Sequence, residues 1–384
     1  MTSKYAISPS WVLQAQAKTR GTLPTTDNGS FANNSASWAS FQNLMQKSIT
    51  PGSPFSKTIV STYSLVYTNT AGAYCGGCID PNGNLHMIPI CASVGQMISP
   101  SGVVSTYSLV YTNAAGAYIG GVLSPSGDIH MIPYFATVGQ KISSSGVVST
   151  YPLLIYSTSS TGAYIGGVLD VNGYVHMVPY NYARAAIPGQ KISPSGVVST
   201  YTLNGQQGYA GGCLDPNGNI HIGAGINNST VSKIAPNGTI TTYSCLTQNL
   251  GGGVLDLNGN IHFIPFNAHI GVKVSPSGVV SSYSLIWPLG DGQSVFWGGC
   301  IDPIGNIHMI PRSSPVGQKV SPSGVVSTYS LVYTIANAYS GGILMPTGDI
   351  HFIPQCASVG QKISTLSCVP FDDCICMSPF FNKM

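Results

Sequence analysis

The sequence predicts an all-β protein, a closed seven-bladed β-propeller, and three observations carry that reading. A phrase beginning Gly-Gly and ending Ile-His-x-Ile-Pro recurs seven times at intervals of 41 to 46 residues, the length of a four-stranded propeller blade. Turn signals fall about every ten residues, an all-β rhythm. The repeat is also cut one strand out of phase, so that a copy of its last strand stands ahead of the first Gly-Gly phrase.

Each unit reads as four short strands. The first is typified by Ala117-Tyr118-Ile119-Gly120-Gly121-Val122-Leu123, and a turn such as Asp80-Pro81-Asn82-Gly83 or Ser124-Pro125-Ser126-Gly127 follows. Proline supplies a φ already near the turn value, and glycine supplies freedom where the chain needs it. The second strand, Ile129 to Pro133, carries the repeated histidine: His86, His130, His176, His221, His262, His308 and His351. The third is Gln140 to Ser143. A Pro-Ser-Gly turn then leads to the fourth, Val147-Val148-Ser149-Thr150-Tyr151, which is β-branched and alternating. Its tyrosine recurs as Tyr63, Tyr107, Tyr151, Tyr201, Tyr243, Tyr283 and Tyr329. Tyr63 precedes the first unit, while the last unit ends at Lys362-Ile363-Ser364 with no fourth strand of its own. Segment 58–68 is therefore expected to complete the last blade, joining the ends of the ring and leaving no sticky strand edge.

Three segments follow: an arm at 1–54, the propeller at 55–366 and a cysteine-containing tail at 367–384. The arm holds Lys4, Lys18, Arg20 and Lys47 against Asp27 alone, so it carries the whole net charge of +3. A short helix from Ser37 to Lys47 would place Trp38, Phe41, Leu44 and Met45 on one side behind a serine cap. Trp11, Trp38, Phe41, Phe380 and Phe381 are apolar groups outside a self-closed ring, expected to dock on the propeller or on neighbouring subunits.

Composition narrows the function. Only 7% of the 384 residues are charged, and all 11 acidic residues are aspartate. A chain without glutamate and with 46 glycines is not mainly helical, and a net charge of +3 is not that of a nucleic-acid binder. No apolar run approaches the ~18 residues of a membrane span, and Met1-Thr2-Ser3-Lys4 does not read as a signal peptide.

The histidine ring invites a metal reading, but equivalent atoms on adjacent blades should lie about one sheet spacing apart, ~10 Å, too far to share an ion. A structural ring is expected, each imidazole pointing between blades and bonding a neighbouring blade's backbone or hydroxyl. No metal or cofactor site and no catalytic residue is assigned. Asp80, Asp170, Asp215, Asp256 and Asp302 open the first turn, where aspartate bonds the backbone two residues on. Lysines recur on the third strand as solvated charges. Cys78, Cys213 and Cys300 fill a slot that is Val or Ile elsewhere and read as small core residues. Cys91 and Cys356 share a slot on blades made adjacent by closure, yet one blade spacing exceeds the about 4.4–6.8 Å that a disulfide allows.

Two resemblances follow from these motifs. The unit Asp215 to His221 with Lys233 to Tyr243 is similar to blades of the streptogramin (virginiamycin B) lyase group, which carry Trp where this chain has His. That likeness implies the seven-bladed fold. The group's chemistry relies on His, Glu and magnesium, and this chain has no Glu, so the activity is not carried over. Phrases such as Gly166-Gly167-Val168-Leu169 and His262-Phe263-Ile264-Pro265 more closely resemble the Gly-Gly-Val-Leu-x-Pro-x-Gly repeat proteins of giant DNA viruses and large phages. That resemblance implies a viral or virion-associated protein and no catalytic residue.

The resulting expectation is a non-enzymatic structural or surface protein of a virion or other ordered assembly, with the arms contacting other subunits, as in a homo-oligomer or a capsid or fibre component. The alternative is a carbohydrate-binding propeller that meets surface glycans through loop aromatics, Trp287 and Trp297 foremost.

Overall fold

A computed structural model describes residues 57–157, 161–180, 187–203, 208–225, 229–286 and 295–366. They form twenty-eight strands in seven four-stranded sheets. The predicted arm and tail, with Trp11, Trp38, Phe41, Phe380 and Phe381, lie outside the described residues, as does Trp287. Among the described residues no helix is long and apolar enough to cross a membrane.

The ring closes as the phase of the repeat requires. Strand β1 (Lys57–Ser64) is the outermost strand of the last sheet, antiparallel to Val359–Leu366 with Tyr63 opposite Gly360. The first complete blade follows as β2 (Tyr74–Ile79), β3 (Leu85–Pro89), β4 (Val94–Ile98) and β5 (Val104–Ser108), each antiparallel to the next. Blades are numbered from this one. Blade seven comprises Tyr339–Leu344, Asp349–Pro354, Val359–Leu366 and β1.

Glycine sets the geometry at two places in most blades. The inner strand bulges between Tyr74 and Gly77, where Gly76 has φ +73°, a left-handed conformation glycine adopts without strain. A Cβ on Gly76 would lie 3.0 Å from the Cα of Gly120 in the next blade, and one on Gly341 would lie 3.6 Å from the Cα of Gly76. Backbones thus approach glycine to glycine around the axis, across the seam between blades seven and one as well. Farther out, the Tyr151 ring lies over Gly139, where a Cβ would meet it at 2.1 Å.

Between blades, apolar side chains interlock. Ile88 and Cys78 of blade one pack on Gly121 of blade two, and buried clusters run from one sheet into the next. Tyr74, Tyr118, Tyr164 and Tyr339 are fully buried, and each hydroxyl donates to a backbone carbonyl of its own blade, as Tyr118 does to Val138 at 3.0 Å. A fully buried glutamine on the third strand ties each connection to its blade. Gln140 Oε1 accepts from the backbone N–H groups of Val110 and Tyr111 at 3.0 and 2.8 Å. Gln96, Gln190, Gln318 and Gln361 accept likewise. Blades four and five carry Ser232 and Val272 at that position instead.

Candidate functional site

Two sets of residues have chemistry to offer, the histidine ring and the mouth of the central channel. In five blades the histidine meets the aspartate six residues before it. His86, His176, His221, His262 and His308 place Nε2 3.0–3.3 Å from the carboxylates of Asp80, Asp170, Asp215, Asp256 and Asp302. The Nδ1 atom faces the fourth-strand tyrosine hydroxyl, as in His221 with Tyr243 at 2.8 Å and His130 with Tyr151 at 3.2 Å. His176 and His351 leave Nδ1 buried without a partner. The expected partner is corrected here: both groups belong to the histidine's own blade, because fourth-strand tyrosine and second-strand histidine share one face of the same sheet. The expected Asx turn is present. Asp80 Oδ1 accepts from the N–H of Asn82 at 2.9 Å and of Asn84 at 2.8 Å while Oδ2 faces His86.

These contacts set the charge states. Burial alone would raise the Asp80, Asp215, Asp256 and Asp302 carboxyls, but hydrogen bonds from histidine and asparagine outweigh it and hold them below the usual range. Blades two and seven have Ser124 and Met345 in place of the turn aspartate. There burial pushes His130 and His351 down to about 4. Asp128 and Asp349 pair instead with Lys141 and Lys362, each at 2.7 Å. Among the described residues no three His, Cys or Asp side chains converge to hold a metal ion.

The second set differs between blades. The residue before each Gly-Gly pair lines the channel: Cys75, Ile119, Ile165, Ala210, Gly251, Trp297 and Ser340. The residue after the second-strand proline stands at the same end of the blade: Ile90, Tyr134, Tyr180, Phe266, Arg312 and Gln355, with Gly225 at the matching place in blade four. Turns at the opposite end keep their closing glycine and vary less, so blade divergence is greatest at one axial mouth. The cavity there is open to solvent and lined largely by the glycine pairs of the inner strands.

Of the residues expected to touch a glycan or partner, Trp297 lies in this mouth, half-buried. Its ring meets Phe266 edge-on at 4.8 Å between centroids, and the Arg312 guanidinium sits 4.8 Å above it. Tyr134 and Tyr180, 5.7 Å apart, continue the aromatic wall. Cys75, beside Ser340 and Trp297, is pushed up to about 11 by burial and is no thiolate at neutral pH. Cys78, Cys213 and Cys300 are buried as expected, and Cys91 and Cys356 are free thiols. Apart from Trp297, the channel set was not assigned from sequence. The signal was present in where the copies differ, while the repeats draw the eye to where they agree.

No family model matches the chain, and no curated protein matches it. Solved structures match the ring. A streptogramin B lyase structure is 17% identical over 80% of this chain and 98% of that one, with a TM-score of 0.68. The WD40 propeller domain of Doa1 is 12% identical over 81% and 97%, with a TM-score of 0.61. YCF48 bound to D1 peptide is 11% identical over 84% and 98%, with a TM-score of 0.59. At these identities the likeness is one of fold: the chain is a seven-bladed β-propeller similar in architecture to lyase, WD40 and YCF48 propellers.

Proposed function

We propose that the chain is a non-enzymatic binding and scaffold disc, a closed propeller that offers one differentiated face, the axial mouth, while segments 1–54 and 367–384 join it to other subunits. The observation that carries this reading is the concentration of blade divergence at the mouth. A surface that varies within a repeated frame is what recognition requires, since binding groups sit on loops held by a rigid scaffold. The non-enzymatic part is supported by the use already made of the reactive groups: each repeated histidine is buried, and five are tied to an aspartate of their own blade. A setting on a virion or other exposed assembly is supported by the Gly-Gly-Val-Leu repeat phrases and the low charge. Sedimentation velocity tests the scaffold role. The full chain should form higher-order species, and a chain lacking residues 1–54 should remain a monomeric disc; equal assembly by both would overturn it.

A carbohydrate ligand is the second reading, favoured by the half-buried rings of Trp297 and Phe266 lining the mouth, since sugar rings stack on aromatic side chains. Saturable binding on a glycan array that Trp297→Ala removes would support it, and binding indifferent to that change would end it.

A further inference from the structure

Among the described residues Arg312 has no counter-charge. It is the one arginine among the described residues, and the ion pairs among those residues all involve histidine or lysine. All seven described aspartates stand in or beside the first turn of a blade, at the end opposite the mouth. The guanidinium is half-buried, stacked on Trp297 at 4.8 Å and near Phe266 at 5.9 Å, and its Nε is buried with no hydrogen-bond partner. A buried donor left unpaired costs about 1–3 kcal/mol, more when it is charged. Stacking fixes the guanidinium plane while leaving its edge, with the N–H donors, free for a planar acceptor. The adjoining cavity is lined by Phe266 and Trp297, with Ile119 and Ile165 across the ring and the small Gly251 and Ala210 in the two blades before Trp297 leaving room.

We propose that the mouth binds a small monocarboxylate with an apolar or aromatic body, the carboxylate held by Arg312 and the body by Trp297, Phe266 and the isoleucine wall. The proposal rests on the mouth being the binding face. Arg312 is the one cation among the described residues of this apolar bowl; one carboxylate neutralises it, whereas a phosphate dianion would leave a charge buried without compensation.

Calorimetric titration of the full chain with 4-phenylbutyrate and with its neutral amide, 4-phenylbutanamide, tests this. The acid should bind saturably at one site, and the amide at least about tenfold more weakly, the loss expected when a charge-assisted pair becomes a neutral contact. Arg312→Gln should bring the acid down to the affinity of the amide, and Trp297→Ala should weaken both ligands. Thermal unfolding of each variant verifies the fold, and the acid–amide comparison on the unaltered chain depends on no variant. Equal affinity for acid and amide, a preference that survives Arg312→Gln, or no binding of either ligand would overturn the proposal. If neither ligand binds while Trp297→Ala still removes glycan binding, the ligand class is wrong and the mouth stands. If Trp297→Ala changes no binding of any kind, both fall.

Discussion

The histidines show how one residue type in one place serves two chemistries. Where the turn aspartate is present, the imidazole lies between a carboxylate and a phenol. Where it is absent, in His130 and His351, burial dominates and the ring stays neutral down to about 4. The unfolded value is the ordinary 6.5, so between pH 6.5 and 4 the unfolded chain takes up protons that the native ring refuses. Stability should therefore fall as pH drops through that window, by at most about 3 kcal/mol per histidine, with no further loss from these two below pH 4. The turn aspartates act later, since their depressed values contribute stability that disappears only as pH falls below the usual carboxylate range. Histidine-resolved NMR titration with urea unfolding at pH 7, 5 and 4 checks the first statement, and extending the unfolding series below pH 4 checks the second. Titration of His130 and His351 near 6.5 would contradict the first.

Strands and connections explain what could be read in advance. The four-strand unit, its turns and the tyrosine on the fourth strand were legible because period-2 alternation and Pro-Ser-Gly turns are local signals. The His–Asp partnership was not, although its six-residue spacing is constant, because it depends on how a turn folds an aspartate back beside the strand that follows. The glutamine clasp was equally hidden: Gln140 reaches residues 29 and 30 positions earlier, and periodicity says nothing about a contact between a strand and the connection entering its blade. Gln140→Leu, close in size but without an acceptor, should leave the Val110 and Tyr111 N–H groups unpaired and cost about 2–4 kcal/mol. Urea denaturation measures this, and a loss below half a kcal/mol would mean the clasp is incidental. Blades four and five, with Ser232 and Val272 there, should exchange the amide hydrogens of their connections faster.

Ring closure determines whether the mouth exists at all. Inner strands meet glycine to glycine at most of the seams, including that between blades seven and one, where a Cβ on Gly341 would lie 3.6 Å from the Cα of Gly76 and the Ser340 hydroxyl donates to the Tyr74 carbonyl at 2.9 Å. Closure was legible from the phase of the repeat, whereas the character of the channel was not, because near-identity of the blades suggests a featureless axis. Divergence at seven channel positions and the matching connections makes the two faces unlike, one uniform and one particular. That asymmetry suits a protein attached by one side and exposed on the other. The most direct measurement is thermal unfolding of two truncations, one beginning at residue 55 and one at residue 65, the second lacking β1. The first should unfold in a single transition within a few degrees of the full chain. The second, with the Val359–Leu366 edge unpaired, should melt at least about 10 °C lower and aggregate. Equal melting of the two would contradict a ring closed by β1.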